Sequence, residues 1–191
     1  MKRLIIFLFI LVNSSLVFAQ RNDSTVIKPG KTRNIEGAVI NQSNNIVTNM
    51  SSSPNFSTFA NAIKTAGLTD TFAGSGVITV FAPTNKAFEK LAPGQLDSLL
   101  LPVHNKELSK LLLYHAIAGR VTSKDIERQI IAAGGQTTLI TLSGGVLTAR
   151  INENRNIVLT DENGNQSMVS KFDILQSNGI LDIVTTVLIP K

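Results

Sequence analysis

The sequence predicts an α+β domain in which helices come mainly first and β-hairpins mainly later. Between about residues 45 and 118, apolar residues recur at helical spacing. After Gly119, apolar and polar residues alternate between turn signals, as they do in β-hairpins. Helical runs followed by strand runs are typical of α+β folds. Since no internal repeat is visible, we expect one domain.

The N-terminal half of the domain predicts several short amphipathic helices. One short turn is expected at 46–50, and a longer helix over 56–68 ends at Gly67, a common helix-stop residue. Pro93 suits the first turn of another helix. A further helix over 106–117 carries leucines at core spacing and ends with the pair Tyr114-His115.

An abrupt strand-to-helix corner interrupts this half at VFAPTNKAF, residues 80–88. The β-forming run before it predicts a core strand, and Pro83 cannot donate to a β-ladder. Thr84 and Asn85 are good helix N-caps, so we expect them to cap the helix that buries Phe88. We interpret the corner as scaffold, because no histidine, cysteine or acid pair lies near it in sequence.

The C-terminal half predicts hairpins, with turn signals at 143–145, 152–156 and 162–165, and a final apolar strand over 180–189. Residues 161–165 (DENGN) also carry oxygens at alternate positions, as a calcium loop would. An EF-hand loop needs glycine at its sixth position and glutamate at its twelfth, and neither is present. A hairpin turn is therefore the better interpretation.

The first 37 residues do not read as part of the fold. A basic start at Lys2 and Arg3, an apolar run over 4–12 and a small residue at Ala19 are typical of a secretory signal peptide over 1–19. The apolar run is too short for a membrane span. We expect cleavage near Ala19, a flexible linker over 20–37, a domain over 38–191, and a secreted, periplasmic or cell-surface location.

Composition excludes several classes of site. The 191 residues include no cysteine, so disulfides and thiolate chemistry are absent, and two histidines give no clustered metal ligands. The net charge of +5 lies before Glu36, because 12 basic and 12 acidic residues follow from there. One tyrosine and no tryptophan offer few platforms for stacking bases. We expect no cofactor, no nucleic acid and no membrane span.

Tyr114-His115 is the only place where catalysis could begin. A general base needs a hydrogen-bonded neighbour and an orienting acid. His104 lies in an expected loop, and no serine has a Gly-x-Ser-x-Gly setting. A half-buried histidine bonded to backbone carbonyls or water is the preferred interpretation. A secreted hydrolase with His115 as base stays open as an alternative.

Four stretches in order resemble the fasciclin-type domain, over about residues 45–190. They are VFAPTNKAF, LLLYHAIAGRVTSKDI, TLSGGVLTARI with its following hairpin, and FDILQSNGILDIVTTVLIP. The resemblance implies a β-sheet wedge packed against a helical layer. It also implies extracellular or cell-surface adhesion modules, generally without known catalysis.

The resemblance assigns structural or recognition roles to particular residues. Tyr114 and His115 form the central pair, which has been proposed as an adhesion element in animal relatives. The closing signature commonly has histidine and aspartate where this chain has Asp182 and Thr185, which puts a carried-over role for the last strand in doubt. The structural signature comprises Val80, Phe81, Pro83, Thr84, Asn85, Phe88, Asn178, Gly179 and Pro190.

The resemblance therefore favours a secreted, non-catalytic adhesion or binding module. Its expected partners are extracellular or cell-surface proteins or polysaccharides. A structural envelope or matrix component without a discrete ligand is a further alternative. The sequence predicts neither the ligand nor the oligomeric state.

Overall fold

One mixed β-sheet and a layer of short helices make up the part of the chain that the computed structural model describes, residues 31–35 and 37–191. The helices are α1 (Ile46–Ser51), α2 (Ser57–Thr65), α3 (Thr69–Ala73), α4 (Asn85–Phe88), α5 (Gln95–Leu99), α6 (Asn105–Tyr114) and α7 (Ser123–Ala132). The strands are β1 (Thr32–Ile35), β2 (Ala38–Asn41), β3 (Ile78–Pro83), β4 (Ala116–Ala118), β5 (Gln136–Ile140), β6 (Val146–Ile151), β7 (Ile157–Thr160), β8 (Gln166–Gln176) and β9 (Gly179–Val184). The predicted α+β class is confirmed.

Seven strands form the sheet in the order β4-β3-β9-β8-β7-β6-β5, and β1 and β2 form a separate hairpin. The expected hairpins β5–β6, β6–β7 and β7–β8 are all antiparallel. In the β7–β8 turn, the Asp161 carboxylate accepts hydrogen bonds from the Asn163 and Asn165 amides, both at 2.9 Å. This is a side-chain-stabilised turn, as the hairpin interpretation predicts.

The sheet is tied together by a parallel pairing of β3 with β9, in register from Ile78 opposite Gly179 to Pro83 opposite Val184. The backbones come very close at its start. A Cβ added to Gly179, whose φ is +155°, would lie 1.8 Å from the Ile78 carbonyl oxygen. Only glycine leaves room for this contact.

Asn178, just before that glycine, joins the sheet to the helical layer. Its side chain is buried, accepts from the Ile46 amide at 3.0 Å and donates to the Phe72 carbonyl at 2.8 Å. The Asn-Gly pair of the closing signature therefore fixes the start of α1 and the end of α3 against β9.

Alternate residues of β3 and β9 enter two apolar cores. Val80 and Ala82 join the helical core, where Phe59 packs against Phe72 edge-on at a centroid distance of 6.2 Å and against Phe88 at 6.3 Å. The Phe88 side chain is 5 % exposed, so it is buried in this core as expected.

The second core lies on the other face of the same strands. Phe81 and Val184 pack there with Tyr114, with Ile126 of α7 and with Leu147 of β6. The two strands are thus covered on both faces, and all six residues of each are buried.

The corner after β3 differs from the expectation in one respect. Pro83 ends the strand, and Thr84 sits at the N-cap of α4 in an extended conformation, but its side chain makes no capping bond. Asn85 does not cap its own helix. Its Oδ1 accepts from the Thr58 amide at 3.0 Å and its Nδ2 donates to the Pro54 carbonyl at 2.9 Å, so it caps α2 instead.

The alternating pattern after Gly119 does not predict α7. A capping box begins it, in which the Thr122 amide donates to Asp125 Oδ2 at 2.8 Å and the Asp125 amide donates to Thr122 Oγ1 at 3.2 Å. Ile126 and Ile130, four residues apart, are buried beneath it. The Thr-x-x-Asp pattern that begins this helix is visible in the sequence. The helix was missed because the residues beyond it show the alternating pattern of strands.

The final apolar run is a strand only in its first half. β9 ends at Val184, whereas the sequence predicts a strand to residue 189. Beyond it, the Thr186 amide donates to Ser167 Oγ at 2.9 Å and the Leu188 amide donates to His115 Nε2 at 3.0 Å. The chain leaves the β-ladder here because these two amides donate to side chains instead of to the carbonyls of a neighbouring strand.

The predicted signal peptide lies outside the described residues, as do residues 20–30 and 36 of the predicted linker. Residues 32–35 of that linker form β1, which pairs with β2. The domain boundary at residue 38 stays a prediction. In the described ranges, no helix has the length and apolar character needed to cross a bilayer.

The close approach at Gly179 gives a first test. Gly179→Ala should lower the free energy of unfolding by at least about 3 kcal/mol, because strain and overpacking add. Gly134→Ala is the matched control, since Gly134 also has a positive φ of +78° but nothing within 4 Å of an added Cβ. It should cost about 1–2 kcal/mol. Equal losses in denaturant unfolding would contradict the steric argument.

Candidate functional site

Tyr114, at the end of α6, is fully buried, and its hydroxyl is held on two sides. The hydroxyl donates to the Val146 carbonyl at 2.7 Å and accepts from the Glu162 amide at 3.1 Å. Burial raises the pKa of the Tyr114 phenol to about 12, against the opposing effect of the Glu162 amide. The phenol is therefore a fixed neutral link between α6, β6 and the β7–β8 turn.

The turn before β6 is shaped by the Tyr114 ring. A Cβ on Gly145 would lie 2.7 Å from the Tyr114 Cε2 atom, so the backbone there rests directly on the ring. The sequence predicts only a hairpin turn at Gly144-Gly145. The structure adds a packing reason for the second glycine.

His115 is also fully buried and uses both ring nitrogens inside the protein. The Leu188 amide can only donate, so Nε2, 3.0 Å away, must accept. The ring proton then lies on Nδ1, which donates to the Leu111 carbonyl at 2.8 Å. The Phe59 ring covers the imidazole at a centroid distance of 5.6 Å.

These contacts leave His115 without a free lone pair. Burial lowers the pKa of His115 to about 4, although the Leu111 carbonyl and Asp161 act in the opposite sense. At neutral pH the ring is uncharged, and a substrate could reach Nε2 only if the Leu188 contact broke. The geometry required of a general base is absent at this residue.

The β7–β8 turn extends the same arrangement along the C-terminal segment, residues 185–191. Asp161 Oδ2 accepts from the Ile189 amide at 3.0 Å, and Asn163 Nδ2 donates to the Ile189 carbonyl at 2.8 Å. Glu162 Oε2 accepts from the Lys191 amide at 2.9 Å. The hydrogen bonds to the Lys191 and Val146 amides lower the pKa of Glu162. Together with His115, this turn docks the chain end.

Asp182 replaces the histidine of the common closing signature and is buried in β9, 1 % exposed. Its Oδ1 accepts from the Asp173 amide at 2.8 Å, while Oδ2 has no partner. Asp173 has a positive φ of 55° at an irregularity in β8, and its own carboxylate accepts from the Ser123 amide and hydroxyl at 2.8 and 2.6 Å. Burial raises the pKa of Asp182 to about 7. Asp182 thus orders the bulge in β8 that holds the start of α7.

Thr185 replaces the aspartate of that signature and lies where β9 ends. Its Oγ1 accepts from the Met168 amide at 3.1 Å, and its carbonyl accepts from Lys90 Nζ at 2.7 Å. The substitution therefore still orders the end of the strand, through a hydroxyl instead of a carboxylate.

An open groove of about 510 Å³ lies beside Thr185, at the carboxyl ends of β3 and β9. We call it the strand-end groove. Its lining includes Thr84, Lys86, Lys90, Ser170, Ile183 and Thr185. The corner residue Thr84 thus borders a surface depression that could not be predicted from the sequence, because its lining comes from four separate segments.

The predicted residues therefore separate into two places. Tyr114 and His115 come together in a buried centre, 32 and 73 residues from their partners Val146 and Leu188. Pro190 lies in the docked segment, and Asn178 and Gly179 lie at the other end of β9. In the described ranges, no group of three or more His, Cys, Asp or Glu side chains is placed to hold a metal ion.

Comparison with known proteins gives one family. The profile of the Fasciclin domain matches residues 54–190. The chain is 33 % identical to Protein sll1483 of Synechocystis sp. over 135 residues, which are 71 % of this chain and 67 % of that protein. It is 36 % identical over 138 residues to the transforming growth factor-beta-induced protein ig-h3 of Oryctolagus cuniculus, covering 71 % of this chain but 18 % of that protein.

Two further matches are more partial. The cell surface glycolipoprotein MPB83 of Mycobacterium bovis is 39 % identical over 87 residues, 43 % of this chain and 38 % of that protein. The structure of a FAS1 domain pair from the insect cell adhesion molecule Fasciclin I superposes with a TM-score of 0.67 at 20 % identity, over 76 % of this chain and 50 % of that one. That likeness supports the fold.

The hydrogen bonds of His115 predict its effect on stability. His115→Phe keeps a ring against Phe59 but leaves the Leu188 amide unpaired, so it should lower the free energy of unfolding by about 1–3 kcal/mol. His104→Phe is the matched control, because His104 is partly exposed and its imidazole lies 3.9 Å from the Glu107 carboxylate at the surface. It should change stability by less than about 0.5 kcal/mol. Denaturant unfolding at pH 7 decides, and equal effects would disprove the buried role.

Asp182 predicts an unusual pH dependence. Its pKa is raised from 3.8 to about 7, so the folded state holds a proton that the unfolded state has lost, and stability falls as pH rises between these values. Asp182→Asn removes this dependence. The variant should gain up to about 1.4 kcal/mol per pH unit relative to wild type between about pH 4 and 7, and nothing further above pH 7. A variant-minus-wild-type difference that stays constant with pH would contradict this assignment.

Proposed function

The chain belongs to the fasciclin domain family, and on that premise we propose that it is an exported, non-catalytic binding module for extracellular or cell-surface proteins or polysaccharides. The observation that carries the proposal is the state of His115. A buried, neutral imidazole with both nitrogens paired contributes to folding, and it offers nothing to a substrate.

The names of two of the matched proteins support a binding role. One is named a cell surface glycolipoprotein, and another structure comes from an insect cell adhesion molecule. Because this chain matches only 18 to 67 % of the length of the first relatives compared, their whole-protein activities do not transfer to it directly. What supports a similar role here is a domain whose chemistry-bearing residues are internal and whose open features are surface grooves.

Export is part of the same proposal. The basic start, the apolar run and Ala19 favour a cleaved leader over 1–19, and the absence of cysteine is compatible with any compartment. A surface or extracellular module would meet its partners only after that step. The proposal therefore includes processing near Ala19, which mass spectrometry of the exported protein would detect.

The two alternatives make different demands on the structure. A hydrolase with His115 as base needs an accessible nitrogen and a neighbouring acid, but the Asp161 and Glu162 carboxylates accept from backbone amides of the turn and of the C-terminal segment. A structural component without a ligand needs only a stable fold. Direct binding measurements separate that alternative from a binding module.

The exported chain should be retained by surface or matrix material from the cells that produce it, and should hydrolyse neither esters nor glycosides. Retention should disappear on unfolding, and a protein of matched size and charge serves as the control. Retention no stronger than that of the control would favour the structural alternative. Turnover by wild type that is lost in His115→Phe, while the variant stays folded, would favour the hydrolase.

A further inference from the structure

The strand-end groove carries positive charge without a compensating carboxylate. Lys86 and Lys90 line it, and no acidic residue does. Lys86 is exposed and forms no ion pair with any residue in the described ranges. Glu89 is exposed on the same turn but is not part of the lining. The groove thus presents uncompensated cationic donors to solvent.

The lysines are placed differently. Lys90 Nζ donates to the Thr185 carbonyl at 2.7 Å, which fixes its ammonium at the end of β9 and leaves two N–H groups free. Lys86, one turn earlier, keeps all three donors. One ammonium is therefore pre-positioned and the other can adapt to a ligand, which is a suitable arrangement for receiving one carboxylate.

Three hydroxyl groups line the groove together with the carboxamides of Asn55 and Asn85, and each hydroxyl keeps hydrogen-bonding capacity. Ser170 Oγ donates to the Ile183 carbonyl at 3.2 Å and can still accept. Thr185 Oγ1 accepts from the Met168 amide and can still donate. Thr84 makes no capping bond with its side chain. Such donors and acceptors match the hydroxyls of a sugar.

The backbone at the groove argues against a peptide ligand. Extended peptides bind sheets by pairing with an unpaired strand edge. β9 lies between β3 and β8. β4 pairs with β3 only from Ile78 to Val80, but beyond that pairing the Phe81 amide donates to the His115 carbonyl and Pro83 has no N–H, so this side of β3 offers a peptide little to pair with. Recognition here therefore depends mainly on side chains.

From these observations we propose that the strand-end groove binds an acidic polysaccharide, with a uronate carboxylate on Lys86 and Lys90 and neighbouring sugar hydroxyls on Thr84, Ser170 and Thr185. The volume of about 510 Å³ is of the size that small-molecule sites use. The inference rests on the proposed binding function and names its ligand class.

The test measures binding of a 1,4-linked hexuronic acid trimer to the whole exported chain by calorimetry. The acid should bind, and its methyl ester should bind at least about tenfold more weakly, because the charge-assisted bonds are lost. Lys86→Gln should weaken binding of the acid by a similar factor. Lys106→Gln, at an exposed lysine of α6 outside the groove, is the matched control and should leave the dissociation constant unchanged.

Several results would overturn the inference. These are equal binding of acid and ester, an unchanged dissociation constant in Lys86→Gln, or a hexaglutamate peptide that binds more tightly than the trimer with the same dependence on Lys86. Retention on native surface material without any binding of the trimer would remove this inference and leave the proposed function standing. Absence of both would remove the two together.

Discussion

The parallel contact between β3 and β9 is the constraint on which the other elements depend. Parallel neighbours cannot be joined by a tight turn, so a long crossover connection must bring the chain from Pro83 back to Gly179 beside the start of β3. That connection contains helices α4–α7 and strands β4–β8. The pairing also fixes the helices that precede it, because Asn178 holds Ile46 and Phe72 at the point where the two strands start.

Local features of this fold were predictable, and distant pairings were not. Asn-Gly and Gly-Gly dipeptides indicate hairpin turns by backbone chemistry alone, and the helix stop at Gly67 likewise needs only a left-handed residue. Asn85 could not be placed correctly, because its side chain caps a helix 27 residues earlier in the chain. The end of β9 was missed for the same reason: its apolar run continues, but Leu188 finds a side-chain acceptor supplied by His115.

The same distinction explains why Tyr114 and His115 looked like a site. An imidazole and a phenol are groups that can take part in catalysis, but the sequence does not show which way these two side chains point. In the fold the pair secures the C-terminal segment, and burial makes the folded state resist protonation of His115 while it favours protonation of Asp182. Across the acidic range the two groups bias stability in opposite directions, so the contribution of each is hidden until the other is removed.

The arrangement of the sheet also limits what the domain can recognise. β9 has partners on both sides, and the groove end of β3 has β9 on one side and Pro83, which has no N–H, at its end. The groove at their carboxyl ends therefore offers a ligand mainly side chains. The polar side chains there carry ammonium, hydroxyl and carboxamide groups, brought together from Asn55, the segment 84–90, β8 and the end of β9. A ligand rich in hydroxyls and carboxylates meets those donors without needing a strand edge. The pairing that the fold requires thus disfavours strand addition by a peptide at the groove, and the side chains there favour the proposed polysaccharide.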